Sequence, residues 1–406
     1  MGRRTKAGAK GGTNAGPGTD AEDETGRICA VSLRDYRSHR VSGAHLSAHG
    51  IPASFHPVVR AGILPGLTSN PSATAMTMNH VELFRAVMNF EPVDRLPRWE
   101  WAMWWDLTIG KWKQQGLPLE LESVFDIAAH LGLDPYQQFW FSTTDPTIEA
   151  VQHHIEGVVS NMDDYLRIRP KLFPDHGGAI ESMRPWARRQ ADGEVVVWVT
   201  IEGFFWFPRT LMGFTKVCLA LYDQPELIHR INQDLTDFNL RVLDQIGKSC
   251  VPTFVTIAED MSYNNGPMIS EGHFDEFIAP YYRQIIPRLQ EWNAAALVDT
   301  DGDPTMMIPW LQREGIRGVL PLARQAGVDG MKIRNRFPDW LMVGHHNKLL
   351  MHEGEQAIRD EFERPMPLMR SGGFIPSVDH QTPPNVTLDQ YRLYRRLLDE
   401  YTATVG

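Results

Sequence analysis

The turn Asp299-Thr300-Asp301-Gly302-Asp303 places two aspartates one residue apart, directly after the apolar run 295–298. Carboxylates in such a position can carry a proton, hold a basic nitrogen or ligate a hard cation. The same arrangement recurs along the chain. Short apolar runs end in Glu202, in Glu259-Asp260, in His345-His346 and in Asp379-His380. Burying a carboxylate costs several kcal/mol, on the order of a domain's net stability, unless it is paired or used. Repeated termination of apolar runs in acids and histidines therefore points to one shared site. Asp299 or Asp301 would deliver a proton or stabilise a protonated intermediate, and Glu259 belongs to the same catalytic set. His346 or His380 would be the acid/base partner, because imidazole titrates near working pH. Each residue also has a structural role open to it. Asp-Gly is common turn chemistry, Asp379 and His380 can brace the Pro383-Pro384 turn, and at most one of His345 and His346 can face a single site.

Ligand contacts are expected from Arg98 and Arg209, since a guanidinium can clamp a substrate carboxylate with two hydrogen bonds. Arg209 follows Phe204-Phe205-Trp206-Phe207, which suits a planar or carboxylate-bearing ligand. Trp101 lies in the tryptophan-rich segment 99–105 and reads as a pocket wall. Glu100, between two tryptophans, should have its pKa raised by an apolar surround. Lys348 and Arg334 read as solvated charges at the rim.

The elements that must position these groups alternate. Strands near 254–257, 295–298, 318–320, 340–343 and 374–375 are each followed by a helix, with helices expected over 219–246, 271–293, 305–312, 354–364 and 388–401. Asn79 is placed to cap a first helix carrying Val81, Phe84, Val87 and Met88 at helical spacing. A further helix is expected over 117–133. Strictly alternating strands and helices predict an α/β fold with a parallel sheet closed by helices, and about eight units fit the length. The fold expected is a (β/α)8 TIM barrel over residues 78–406, whose active site lies at the C-terminal ends of the strands. Residues 1–77 lack sustained periodicity and read as a disordered or low-complexity extension, with an organelle leader as the alternative.

Composition narrows the function. The 406 residues carry a net charge of −10, which disfavours a general nucleic-acid surface. Three separated cysteines suggest a reducing, cytoplasmic setting and provide no thiolate cage. No apolar stretch reaches membrane-spanning length. Neither a dinucleotide-binding nor a P-loop glycine pattern occurs.

Five segments carry a specific resemblance: LFRAVMNFEPVDRLP (83–97), EGFFWFPRTLMGF (202–214), EDMSYNNGPMIS (259–270), LVDTDGDPTMMIPWL (297–311) and GGFIPSVDHQTPPNVTLDQY (372–391). Their order and spacing resemble the uroporphyrinogen decarboxylase-like superfamily across nearly all of residues 78–401. The resemblance implies a (β/α)8 barrel with a deep cleft. Substrate contacts are expected at Arg98, Glu100, Trp101, Glu202, Arg209, Asp260, Asn265 and Asp379. The decarboxylase branch, of porphyrin biosynthesis, uses neither metal nor organic cofactor. Its R-Q-A-G-R motif is replaced here by Leu96-Pro97-Arg98-Trp99-Glu100. The corrinoid methyltransferase branch binds zinc through His-x-Cys and a later Cys, positions that resemble Asp299-Thr300-Asp301 and Val378. No soft ligand remains. Oxygen ligands from Asp299 and Asp301, with His380 or His346, could hold a harder divalent ion.

Three functions follow as expectations. The first is a decarboxylase-type carboxy-lyase on a small, carboxylate-bearing molecule, a tetrapyrrole among the candidates, with no cofactor required. The second is a methyltransferase partnered by a corrinoid protein. The third is a non-catalytic ligand-binding barrel. Members of the superfamily are often homodimers, an expectation carried by the resemblance alone.

Overall fold

In the computed structural model, residues 78–145 and 157–405 are described. The expected N-terminal extension, 1–77, lies outside them. Asn79 opens the first helix, His80–Met88: its carboxamide oxygen accepts from the amides of Val81 and Glu82, and Glu82 reaches back to the Asn79 amide at 3.0 Å. This reciprocal capping satisfies donors that the first helical turn leaves unpaired.

Seven strands form one parallel sheet: β1 (Tyr136–Trp140), β2 (Val196–Glu202), β3 (Phe254–Ala258), β6 (Ala295–Asp299), β7 (Gly318–Leu320), β8 (Leu341–His346) and β9 (Phe374–Val378). They pair in chain order, while β4 (Ser262–Tyr263) and β5 (Gly266–Pro267) form a separate antiparallel hairpin. β2, β3 and β9 are buried at every residue, as expected of parallel strands with helices on their outer side.

The α/β class and the parallel sheet agree with the sequence reading. Of the about eight units expected, seven strands pair in one sheet among the described residues. Between β9 and β1 runs the segment 96–101, held by bonds to both. The Asp134 amide donates to the Arg98 carbonyl at 3.0 Å, and the Tyr136 hydroxyl donates to the Glu100 carbonyl. On the other side, the Trp101 amide donates to Ser377 Oγ at 3.1 Å and its indole to the Val378 carbonyl at 2.7 Å. Pro97 has no N–H to give a ladder, and side chains replace main-chain pairing here.

Several expected helices are divided. The segment 219–246 falls in two helices, Phe214–Asp223 and Pro225–Ser249, because Pro225 starts a new helix at its first position. Likewise 271–293 becomes Glu271–Phe277 and Ala279–Glu291, with Pro280 opening the second. Within 117–133 only Val124–His130 is helical.

Register explains how the sheet positions chemistry. Trp198 pairs with Phe254 at the lower end of one face, packed with Trp99 and Phe84 at centroid distances of 4.7–6.5 Å. Above them the Thr200 and Thr256 hydroxyls meet at 2.7 Å. Above these, Glu202, Ala258 and Asp299 stand in register at the strand ends. An apolar floor with a polar upper rim follows from side chains alternating along each strand. Among the described residues no helix is long and apolar enough to cross a membrane.

Candidate active site

The turn after β6 is held by main-chain contact. The Asp299 carbonyl accepts the amides of Glu259 and Asp260 at 3.1 and 2.8 Å, and the Thr300 amide donates to Leu320. Thr300 Oγ1 meets Ser262 Oγ at 2.6 Å. A Cβ on Gly302 would lie 2.2 Å from the Ser262–Tyr263 backbone, so only glycine permits this approach. Asp303 accepts the Thr305 amide and hydroxyl through Oδ1, which assigns it to the turn.

Five charged groups and one histidine come together around this turn. Asp260 adopts a left-handed backbone (φ 40°), uncommon for a residue with a side chain. Its carboxylate accepts from Arg209 Nη1 at 3.0 Å, and its second oxygen lies 3.4 Å from the Asp301 amide. Arg209 is held from behind by the rings of Trp206 and Phe214, 5.2 and 5.7 Å from its guanidinium carbon. Asp301 Oδ2 lies 3.9 Å from His380 Nε2. Asp379, fully buried, accepts the amides of Arg324 and Lys348 and pairs with the Lys348 ammonium at 3.7 Å.

Electrostatics single out Asp301. Burial of its surroundings, then the like charge of Asp260, raises it to about 7, against the pull of Lys348 and Arg209. Its side chain is nevertheless 40% exposed, so the carboxyl opens onto the concavity rather than into the core. Asp379 is also raised, chiefly by burial. His380 is lowered to about 3 by burial and by Lys348.

Other expected site residues are placed elsewhere. Glu259 is buried beneath the turn, accepting the Phe204 and Phe205 amides and the Tyr282 hydroxyl at 2.7–2.9 Å. His346 packs between Phe362 and Tyr394, at centroid distances of 4.5 and 4.8 Å, on the helix side of β8. His345 is also buried, accepting Gly330 and Arg364 donors at Nε2. Arg98 is bound by Asp134 and Asp399, and Asp134 precedes the start of β1, so this arginine lies at the opposite end of the sheet. Glu100 lies behind β9, its oxygens accepting from Ser377 Oγ at 3.1 Å and Tyr391 Oη at 2.7 Å. Burial raises it to about 8, the direction expected from its neighbours. Trp101 does reach the cluster, edge-on to His380 at 6.3 Å. Glu202 and Asp299 stand at strand ends on one face, and Asn265 is exposed at the tip of the β4–β5 hairpin. Lys348, read as a rim charge, is 15% exposed and faces Asp379. Its signal was available: it follows β8 as Asp260 follows β3.

The donor set does not fit a thiolate-bound zinc. Val378 is apolar and buried, Cys250 is raised to about 11 by burial alone, and Cys218 lies on the helix Phe214–Asp223. Among the described residues no three His, Cys, Asp or Glu side chains converge as ligands would.

Residues 150–401, more than half of the chain, match the sequence profile of the family described as Uroporphyrinogen decarboxylase (URO-D). The chain belongs to that family. The URO-D match takes in β2 to β9 and every member of the cluster except Trp101. No curated protein sequence matches the chain. Among solved structures, a methyltransferase from Methanosarcina mazei is similar over 80% of this chain and 99% of its own, with a TM-score of 0.54 and 15% identity. That likeness is one of fold. A structure described as a vitamin-B12 independent methionine synthase from Listeria monocytogenes is similar over 75% of this chain and 96% of its own, at 12% identity and a TM-score of 0.40. The URO-D fold thus places Arg209, Asp260, Asp301, Lys348, Asp379 and His380 together at the C-terminal ends of the strands.

Proposed function

We propose that this URO-D family chain is a decarboxylase-type lyase acting on a small carboxylate-bearing molecule. The observation that carries the reading is Asp301, a carboxyl open to the concavity and held up to about 7 beside Asp260. Such a group is half protonated near neutral pH, the state in which a general acid is most useful. Lys348, close to Asp379 on the same wall, would receive the substrate carboxylate. The bond to that carboxylate breaks, its electron pair stays on the substrate and CO2 leaves. Asp301 supplies the proton that takes its place, and solvent reloads it. The Arg209–Asp260 pair holds Asp260 in place beside Asp301, and the like charge of Asp260 raises the affinity of Asp301 for its proton. No step in this sequence calls on a metal or an organic cofactor. With Arg98 committed to Asp134 and Asp399, the cluster offers few free cations, which favours a substrate with one or two carboxylates over a polycarboxylate tetrapyrrole.

A second reading is methyl transfer with a corrinoid carrier protein, favoured by the fold likeness to the Methanosarcina mazei methyltransferase. There the Asp301 proton would go to the heteroatom that loses its methyl group. The test is a panel of carboxyl-labelled aromatic and oxo acids, assayed for CO2 release in D2O by wild type and Asp301→Asn. The lyase reading expects one deuterium incorporated per CO2 released, and a loss of about 10²-fold or more in the variant. Turnover near wild type in Asp301→Ala, or methyl transfer to reduced cobalamin without CO2, would overturn it.

A further inference from the structure

The sheet carries a cavity on its other face that the lyase reading does not use. Side chains alternate along β1, so Gln137 points away from Gln138, whose carboxamide donates to Thr200 Oγ1 at 2.9 Å on the face below the acidic cluster. Beside Gln137 lies a cavity of about 150 Å³, walled by Phe125 and Ala129 from the helix Val124–His130 and by Trp186 from the helix Arg184–Ala191. It sits at the start of β1, whereas Asp301 and its neighbours stand past the opposite ends of the strands. Gln137 itself is only 8% exposed. Its Nε2 donates to the Gln138 carbonyl at 3.1 Å, which fixes the carboxamide and leaves Oε1 for the cavity. Among the described residues no donor pairs with that oxygen. The charges in the wall are committed or negative. Arg189 stacks on Trp186 at 4.7 Å and pairs with Glu194 at 3.0 Å, Asp134 is bound by Arg95 and Arg98, and Asp126 adds a further carboxylate.

We propose that this cavity is a second binding site, for an uncharged single-ring aromatic molecule carrying one hydrogen-bond donor, of which a phenol is the simplest case. The size sets the ring count, since a cavity of about 150 Å³ holds one six-membered ring. Phe125 and Trp186 supply aromatic walls, against which a ring packs edge-on or offset. Gln137 Oε1 sets the polarity of the contact: it accepts, so the ligand must donate. It also excludes acids. A carboxylate placed against Oε1 would be repelled there, with Asp126 adding like charge and Arg189 already paired with Glu194. The cavity and the catalytic cluster therefore select opposite ligands, a neutral donor at one end of the sheet and an acid at the other.

Fluorine-19 NMR of 4-fluorophenol, fluorobenzene and 4-fluorobenzoate, each titrated with the full-length protein, tests the site. 4-Fluorophenol should saturate a single site with a Kd of about 1 mM or tighter, and fluorobenzene should bind about tenfold more weakly. Ala129→Trp, at an exposed position in the cavity wall, should abolish the binding of both while urea stability stays near wild type. Gln137→Leu, which keeps the bulk and removes the acceptor, should weaken 4-fluorophenol about tenfold and leave fluorobenzene unchanged. Asp301→Asn should change neither, and any binding of 4-fluorobenzoate should be the same in wild type and Ala129→Trp. Absence of saturable 4-fluorophenol binding, or equal binding in wild type and Ala129→Trp, would overturn the proposal. So would 4-fluorobenzoate binding that Ala129→Trp removes, or a folded Gln137→Leu that binds 4-fluorophenol as wild type does. If Gln137→Leu does not fold, the wild-type preference decides, and equal affinities for 4-fluorophenol and fluorobenzene would overturn the role of Oε1.

Discussion

Arg209 and Asp260 meet twice: one guanidinium nitrogen donates to the Asp260 carbonyl at 2.8 Å and to its carboxylate at 3.0 Å. The double contact holds Asp260 in its left-handed backbone and fixes a negative charge beside the Asp301 amide. A structural ion pair thus becomes an electrostatic setting for the neighbouring acid.

Removing that charge should move Asp301 downwards. In Asp260→Asn the like-charge repulsion is lost while Arg209 remains, so the Asp301 pKa should fall by about one unit or more. In Lys348→Met an opposing charge is lost and the pKa should rise above about 7. Carbon-13 NMR of labelled aspartate, with Asp301→Asn for identification, would measure both. Equal shifts of the same sign in the two variants would contradict the arrangement.

Activity should follow the same proton. On the proposed lyase reading Asp301, raised to about 7, is the acid, so CO2 release should be sustained below about pH 7 and fall as pH rises through that value. The alkaline limb should move to lower pH in Asp260→Asn. A pH–rate profile of wild type and variant tests this, and a limb that stays in place would separate Asp301 from the proton donated.

How the sequence and the structure correspond is clearest at Glu259 and Asp260. The apolar run before them marks a strand end, and both acids are visible there in the sequence. Which one faces the concavity depends on the left-handed turn at Asp260, and that turn comes from contacts with Arg209 and Asp299, 51 and 39 residues away in sequence. Arg98 shows the same limit, since its partner Asp399 lies 301 residues on. At His345-His346 the alternation of side chains allows at most one to face inward, and with a positive φ of 78° at His345 and Phe362 packed on His346 neither does. The strand ends, the acidic turn and the parallel sheet were legible because local pattern determines them. The side-chain links between β9 and β1 among the described residues were not, because Pro97 and the side chains of Trp101 and Tyr136 stand there in place of a main-chain ladder.

Glu259 should matter to stability rather than to chemistry. It satisfies the Phe204 and Phe205 amides and the Tyr282 hydroxyl in a fully buried place. Glu259→Ala leaves those donors without an acceptor and should cost several kcal/mol, on the order of 3–5. Glu259→Gln keeps one oxygen and should cost less. Urea denaturation of both variants provides the comparison, and equal stabilities would remove Glu259 from this supporting role.

Gly302→Ala should be felt in both fold and site. Its new methyl would press on the Ser262–Tyr263 backbone, which cannot move without displacing the Thr300–Ser262 hydrogen bonds. A loss of about 1–3 kcal/mol is expected, together with a shifted Asp301 resonance. A stable variant with Asp301 unmoved would show that the turn has room that its close approach denies.

Glu100 should link stability to pH over a wide range. It is fully buried, and its pKa rises from an ordinary 4.5 to about 8, chiefly through burial, with Asp379 adding repulsion. Hydrogen bonds from Tyr391 and Ser377 oppose the shift without cancelling it. Between these values the folded chain holds a proton that the unfolded chain has released. Stability from this group is therefore complete below about pH 4.5 and is lost as pH rises towards 8, amounting to a few kcal/mol across the range. Glu259 and Asp379 are raised as well and add slope of the same sign. The difference between wild type and Glu100→Gln isolates the contribution of Glu100. The variant, permanently neutral, should match wild type near pH 5 and exceed it near pH 8. Denaturation at pH 5, 6, 7 and 8 measures the divergence, and parallel curves would mean that Glu100 stays ionised in the fold, with its hydrogen bonds from Tyr391, Ser377 and the Val378 main chain outweighing its burial.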